Sequence, residues 1–396
     1  MSSGSIDTRG SVPGEIDSFL SDCIRAVLHA AALPHWPQAW HDHDRDVIAR
    51  IAFHGIGPLI SPALAMPGAA ASGWPAGVVN AIRKETALAS FWEADHRETI
   101  ARMVERLQAA DVRLVITKGT ALAYSVYPQP AMRRRGDTDI LILAGSRSTV
   151  RRVLTSCGFA QHGTPRALQE DWHYDSRLGI RHAVDVHWRV NASATISGLL
   201  EQGRCFAAQI ELAQIAPGAR GMGAIGNVIL TCVNRHSHGV MGYFVADTRL
   251  FEAGRLIWAV DLFLLTRAFD ASAWDDLVVE AGQTGTASIV LSGLRFSAAT
   301  VGTIVPPSVI AALAEVVQVD DVAHYFATTS GARRLQSDLA ASPRLSDKAR
   351  LVLRVLLPDD AFLEERFPDA RGWPRSALQV RRLIEGAVKA GRRSRV

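Results

Sequence analysis

Cysteine is scarce and scattered. The 396 residues contain four, Cys23, Cys157, Cys205 and Cys232, and no two form a CxxC pair. That spacing argues against a thiolate zinc site and against a secreted disulfide scaffold, and it predicts reduced, mostly buried thiols in a cytoplasm. Long apolar runs are missing as well. The most hydrophobic stretch, Leu256 to Leu265, is broken by Asp261 and falls short of the roughly 20 residues that span a bilayer. The leading segment MSSGSIDTRGSVPGE is polar and lacks the apolar stretch of a signal peptide, so residues 1–14 are expected to be a disordered lead-in. No extended basic stripe interleaved with aromatics is found, which disfavours a nucleic-acid polymerase or tRNA enzyme. No repeat is evident.

What is present is ordinary for a globular protein: 48% hydrophobic and 21% charged residues, in a chain long enough for two modest domains or one large one. Such a chain buries a core without covalent staples. The net charge is only +4, but positive charge is clustered. Arg133, Arg134 and Arg135 form one group; Lys389, Arg392, Arg393 and Arg395 form another. Clusters of this kind suit phosphate-bearing partners. For the second, a solvated, frayed tail is the favoured reading.

Hydrophobic periodicity divides the chain into three parts. Residues 15–110 read as helical, with Ile16, Phe19, Leu20, Cys23, Ile24 and Val27 at helical spacing and a long amphipathic pattern from Glu85 to Ala110. Residues 111–222 change texture. Val112 to Thr117 reads as a strand, Thr120 to Val126 as a short helix and 137–143 as a second strand. A helix capped by Ser146 runs to Cys157, and further strands are expected at 170–177 and 181–190. From 223 the pattern is helical again, with helices at 223–238, 255–268, 272–281, 286–301, 306–317 and 346–356. The expected fold class is α+β, a small mixed sheet flanked by N-terminal and C-terminal helical segments.

Chemistry concentrates in the middle part. Asp137-Thr138-Asp139 puts two carboxylates two residues apart on a strand, hence on one face. Held close, they repel, and a divalent cation relieves the repulsion; oxygen ligands suit Mg2+, with Mn2+ as a substitute. Asp185 sits mid-strand between Val184 and Val186, where a lone charge is costly, so pairing that strand beside the first would bring a third carboxylate to the same metal. Upstream, Thr117-Lys118-Gly119-Thr120 joins a strand to a helix start. Gly119 lets backbone approach a ligand, the helix end offers N–H donors, Lys118 adds a mobile charge and Thr120 a hydroxyl. Arg133 is a candidate for bidentate phosphate contact, and Arg135 and His187 are candidate substrate contacts. Together these parts suit metal-dependent phosphoryl or nucleotidyl transfer.

In this order the motifs resemble the uncharacterised nucleotidyltransferase family of bacteria, a branch of the DNA polymerase beta-like nucleotidyltransferase superfamily. The resemblance rests on Lys118-Gly119, Tyr127-Pro128, Arg133, Gly136-Asp137-Thr138-Asp139 and Asp185-Val186-His187-Trp188. A looser likeness involves Asn234-Arg235-His236-Ser237-His238-Gly239, Asp261-Leu262 and Trp274, so that it runs from about residue 85 to about residue 370. It implies that Asp137, Asp139 and Asp185 are the metal-binding catalytic acids and that Gly119-Thr120 stands for the superfamily's glycine–serine pair. Two departures are visible: Thr138 replaces a hydrophobic residue between the acids, and the gap from Gly119 to Asp137 is longer than usual for the superfamily.

The chain is thus expected to comprise a helical segment (15–110), a nucleotidyltransferase-like core (111–222), a C-terminal helical domain (223–385) and a basic tail (386–396). The expected activity moves a nucleotidyl group from a nucleoside triphosphate to a small molecule, peptide or protein. Alternatives are transfer of another phosphate-linked group, such as a phosphosugar, or a catalytically inactive nucleotide-binding scaffold. His236 and His238, two apart on a helix, do not make a zinc site. Trp188, Trp258 and Trp274 are expected in the core.

Overall fold

Alternating apolar residues in the middle of the chain build a sheet, and the flanking helical patterns close around it. The structure, a computed structural model, describes residues 12–393 apart from residues 41, 67–71, 164–168, 191–192, 200–201, 246–247, 317–320, 329–330, 343–344, 357–362, 364–366 and 371. Most of the expected lead-in, residues 1–11, therefore lies outside the described residues, as do residues 394–396 of the basic tail.

Four N-terminal helices come first: α1 (Val12–Leu28), α2 (Asp44–His54), α3 (Gly57–Leu64) and the 34-residue α4 (Ala76–Ala109). The central part holds β1 (Leu114–Thr117), α5 (Lys118–Ser125), β2 (Asp137–Ile142), α6 (Arg147–Ser156), β3 (Ala160–His162), β4 (Gln169–Asp175), β5 (Arg181–His187), α7 (Ala194–Leu199), α8 (Gln202–Ala207), β6 (Gln209–Glu211) and β7 (Arg220–Met222). A run of helices follows: α9 (Ala224–Met241), α10 (Leu256–Thr266), α11 (Ala271–Gln283), α12 (Ala287–Val301), α13 (Pro307–Val316), α14 (Asp321–Ala327), α15 (Gly331–Ala341), α16 (Leu345–Leu356) and α17 (Arg375–Arg393). A small hairpin, β8 (Tyr243–Val245) and β9 (Thr248–Leu250), separates α9 from α10. The fold is α+β, as the alternation of patterns implied.

Local chemistry sets several boundaries. Asp270 caps α11 by accepting from the Ala273 N–H at 2.8 Å. Pro307 opens α13, where its missing N–H costs nothing. Two details differ from expectation. Helix α5 begins at Lys118 rather than Thr120, and the Ser146 side chain makes no capping bond to α6. Short strands such as β3, β6 and β7 carry too few residues to display a period, which is why the pattern did not announce them.

The seven strands form one mixed sheet in the order β3-β4-β5-β2-β1-β7-β6. β2 pairs parallel with β5, and β1 parallel with β7; the other neighbours are antiparallel. On one face Leu114, Ile116, Ile140, Ile142, Trp172, Val184 and Val186 pack against Ile100, Met103, Val104 and Leu107 of α4 and Val150, Val153 and Leu154 of α6. The opposite face carries a smaller apolar cluster, Val115, Leu141, Met222 and Leu230, and next to it the polar row described below.

The N-terminal and C-terminal helical segments share one core. Ile16, Leu20, Ile51, Ile60 and Ile82 pack in the same cluster as Val228, Leu262, Leu277 and Leu294. His54 ties the two together: its Nε2 donates to Asp17 at 2.9 Å while its Nδ1 accepts from the Leu256 N–H at 3.2 Å. Trp188, Trp258 and Trp274 are buried, and none of the four cysteines forms a disulfide. No single helix among the described residues is long and apolar enough to cross a membrane.

Asp261, which interrupts the most apolar stretch, is fully buried in α10. It accepts from Arg133 Nε at 2.9 Å and Nη2 at 2.8 Å, and from the Tyr127 hydroxyl at 2.6 Å. The segment between α5 and β2 is thereby fastened to the helical core. Removing one member of such a pair strands a buried charge. Asp261→Ala is expected to lower stability by roughly 3–5 kcal/mol, read from urea unfolding midpoints, and Arg133→Met combined with Asp261→Leu to recover most of that loss.

Candidate active site

Register places the acids. Thr117 of β1 stands opposite Asp139 of β2, Asp139 opposite Asp185 of β5, and Asp185 opposite Asp171 of β4. These four residues form a row across four strands, with side chains on the same face of the sheet. Asp137 lies two residues from Asp139, at the exposed start of β2. Ligand atoms of Asp139, Asp185 and His187 all lie within 4.8 Å of one another. The His187 Nε2 is 2.8 Å from Asp139 Oδ1; since a carboxylate oxygen only accepts, that nitrogen carries the proton.

Lys118 completes the group. It leaves β1 with a left-handed backbone (φ 54°), a conformation that costs a non-glycine residue about 1–2 kcal/mol and is tolerated where a side chain must be aimed. Its ammonium donates to the same Asp139 Oδ1 that His187 contacts. Asp139 is 4% exposed. Burial alone would raise its pKa, but Lys118 and His187 override that and hold the carboxyl below the usual carboxylate range. The other acids have no such compensation. Asp137 keeps one side open to solvent, but desolvation by the protein crowding its other sides, and then the charge of Asp139, push it up to about 6. Burial, then Asp139, Asp137 and Asp171, push Asp185 up to about 8. Four carboxylates with one lysine and one imidazole between them are short of positive charge. Their oxygen donors fit a hard divalent cation, and His187, on the same face and bonded to Asp139, lies within reach of the same ion.

The phosphate-binding candidates separate into two groups. Lys118 and Gly119 lie at the site. A Cβ on Gly119 would come within 3.4 Å of Arg135 Cβ and 3.5 Å of Arg133 Nη1, so this turn is packed closely against the arginine loop. Thr120 does not present its hydroxyl to the open side. The residue is buried, and its Oγ1 meets Thr138 Oγ1 at 3.0 Å and accepts from Arg135 Nε at 3.1 Å. Arg135 is buried as well, paired with Glu93 at 2.7 Å. Arg133 is committed to Asp261 and to the Arg134 carbonyl. The reason is common to all three: the two arginines face α4 and α10 and Thr120 faces the covered side of β2, where burial demands partners.

The unexpected Thr138 between the acids has a structural cause. It points to the helix-covered face, where its hydroxyl lies 2.8 Å from His96 Nε2 of α4. His96 is held far below the ordinary histidine range by burial and by the nearby charges of Arg135 and His182. Thr120, Thr138, His96, Arg135, Glu93 and Tyr124 thus brace the acid-bearing strand from behind.

Two residues near the acids were not singled out from sequence. Asp171 joins the row next to Asp185, and Gln169 donates to Asp171 at 2.9 Å and to Asp185 at 3.4 Å. The alternation Gln169, Asp171, His173 against the buried Glu170 and Trp172 was readable; the pairing that turns it toward Asp185 was not. His238, on α9, feels the charges of Lys118 and Arg255, and burial with these charges pushes it down to about 4.

Because Asp137 and Asp185 hold protons at about 6 and about 8, a cation that needs both as carboxylates must displace them. Mn2+ affinity measured by calorimetry is expected to rise from pH 6 to pH 8 with proton release, and Asp185→Asn to flatten the upper part of that rise. His187→Gln is expected to weaken the affinity by roughly 10–100-fold.

Comparison with known proteins agrees with this arrangement at the level of family. No curated protein matches the chain. The sequence profile of a family described as uncharacterised nucleotidyltransferase matches residues 41–302, starting well before and ending well before the span of likeness expected from the motifs. The match takes in α2, α3 and α4, every strand and the helices through α12, and so covers both the acid row and the helical core that holds its loop. On that match over more than half its length, the chain belongs to the uncharacterised nucleotidyltransferase family.

Proposed function

We propose that the protein is a divalent-metal-dependent enzyme that transfers a nucleotidyl group from a nucleoside triphosphate to an acceptor and releases pyrophosphate, using a site of the DNA polymerase beta-like kind. The observation that carries this reading is the register of Asp139 against Asp185, with Lys118 bonded to Asp139 at the exit of the neighbouring strand.

The polarity of the row gives the substrates an orientation. Lys118 and the start of α5 lie at the β1 side, Asp185 and Asp171 at the β5 and β4 side. The triphosphate lies toward Lys118, where the first N–H groups of α5 and the ammonium favour negative charge. The acceptor approaches from the side of Asp185 and Asp171. A divalent cation such as Mg2+, or Mn2+ in its place, would supply charge neutralisation for the phosphates when bound. Asp137, Asp139 and Asp185 are the residues that hold it.

Lys118 has two occupations in this scheme. Without nucleotide its ammonium serves as counter-ion to Asp139; with nucleotide it turns to the polyphosphate, stabilising charge that builds on the leaving group. Arg133 and Arg135 act by fixing the loop. The acceptor is a small molecule, peptide or protein bearing a nucleophilic oxygen or nitrogen.

The test incubates the protein with Mg2+ and each α-labelled nucleoside triphosphate, with mass spectrometry of the labelled products. An added nucleoside monophosphate is expected; an added phosphosugar or phosphate would replace this reading. Asp139→Asn and Asp185→Asn are each expected to lower turnover on the order of 10²–10³-fold or more with the fold intact by circular dichroism. Wild-type turnover in either variant would defeat the assignment. Lys118→Met is expected to tighten Mn2+ binding when nucleotide is absent, because a competing cation is gone, and to weaken nucleotide binding.

A further inference from the structure

The arginine loop that packs against the Lys118–Gly119 turn has a second face, which the transferase reading leaves unused. Between that loop, α4 and the turn joining β4 to β5, the surface sinks into a recess of about 400 Å3. Its apolar walls are Leu88, Phe91 and Trp92 of α4, Ala131 of the loop and Ile180 of the turn. A recess of this size and lining is of the kind that holds small molecules. By helical periodicity Leu88 and Phe91 lie about 60° apart on α4, so they form one edge of it. They are 56% and 53% exposed, whereas Trp92, Ala131 and Ile180 are half-buried.

Charge at the recess is one-sided. Arg134 lines it, with a side chain 43% exposed. Its guanidinium stands 3.7 Å from Glu85, beyond hydrogen-bond distance, and donates no hydrogen bond among the described residues. Arg133 and Arg135 line the recess too, but each is already matched by a carboxylate, Asp261 and Glu93 respectively. Lys84, one turn before Leu88 on the same stripe of α4, is exposed and has no acidic partner among the described residues. Asp95, one turn beyond Phe91, is bonded to His182 at 2.7 Å. The nearby acids thus have inner partners, while Arg134 brings a planar fork of donors, the shape that matches a carboxylate, to the rim of an apolar recess.

We infer that this recess binds a small amphipathic carboxylate, its aromatic or branched aliphatic body seated on Trp92, Ala131 and Ile180 and its carboxylate held by Arg134, and that the occupant stiffens the loop and strand that carry the acids. A flat protein surface would cover Leu88 and Phe91 without filling the space behind them, and a neutral apolar molecule would leave Arg134 unmatched. The recess lies behind the acids, not among them. Trp92 contacts His96, with ring centroids 4.3 Å apart, and His96 meets Thr138, the residue between Asp137 and Asp139, at 2.8 Å. Arg135 lies over the Trp92 ring at 5.2 Å and donates to Thr120 at 3.1 Å. An occupant therefore touches the residues that brace the acid-bearing strand, and it joins the loop, α4 and the β4–β5 turn across the space that separates them. This inference does not rest on the proposed transferase activity.

The experiment titrates the full chain with phenylacetate, indole-3-acetate and isovalerate, each beside its neutral amide, by calorimetry. At least one acid is expected to bind, and at least about tenfold more tightly than its amide. Arg134→Gln should remove that preference, with circular dichroism and thermal unfolding as for wild type. Ala131→Phe fills the recess while keeping the charge, so it keeps the test standing should Arg134→Gln perturb folding, and it should weaken binding at least about tenfold. Amide hydrogen exchange across residues 126–142 should slow with the acid bound. The inference is overturned if no acid binds, if the amides bind as tightly as the acids, or if folded Ala131→Phe binds like wild type. Binding that leaves the exchange unchanged overturns the stiffening. A dimer seen by light scattering that Ala131→Phe dissolves, with no acid bound, replaces the inference by self-association.

Discussion

A carboxylate buried in the middle of a sheet must have positive charge beside it, and Asp139 is the carboxylate around which this molecule is organised. Its Oδ1 takes bonds from both Lys118 and His187, two residues 69 positions apart in the chain. That requirement explains the otherwise costly backbone of Lys118, which aims the ammonium inward instead of letting it reach for water. It also explains why the neighbouring acids respond oppositely. Asp139 has drawn the available cations to itself, and Asp137 and Asp185 are left with its negative charge and their own desolvation.

The apparatus behind the sheet serves the same end with uncharged and paired groups. The strand carrying the acids would be free to shift if its rear face were only apolar, since aliphatic contacts are non-directional. Thr138 bonded to His96, and Thr120 bonded to Thr138 and Arg135, supply direction. The long loop between Gly119 and Asp137 is fixed at both of its arginines, to α4 through Glu93 and to α10 through Asp261. Through the second tie, the helical core to which both ends of the chain contribute holds the loop that packs against the Lys118–Gly119 turn.

Much of this was legible in sequence because the chemistry and the period coincide. Asp137 and Asp139 could be assigned a common face from strand alternation alone, Asp185 was marked by its charge amid valines, and the α+β outline followed from where the period changed. Strand pairing was not legible, since nothing local specifies which strand lies next to which. Asp171 was therefore missed although its own alternation was visible. Arg133, Arg135 and Thr120 illustrate a different limit. Residue type advertised affinity for phosphate, while burial, which sequence does not state, committed each of them to a protein partner. The sharing of one core by the N-terminal and C-terminal helices was likewise hidden, because amphipathic stripes show that a face is covered but not by what.

The parallel pairing of β2 with β5 carries one more implication. Moving β5 along β2 by a single position would send Asp185 and His187 into the layer under α4 and bring Val184 and Val186 up beside Asp139. Aliphatic side chains on the hidden side thus police the alignment of the charged ones in front, and the fidelity of the reaction centre is enforced by residues that never meet a substrate. Mutational damage to this protein should for that reason fall as heavily on valines and isoleucines of the sheet as on its acids.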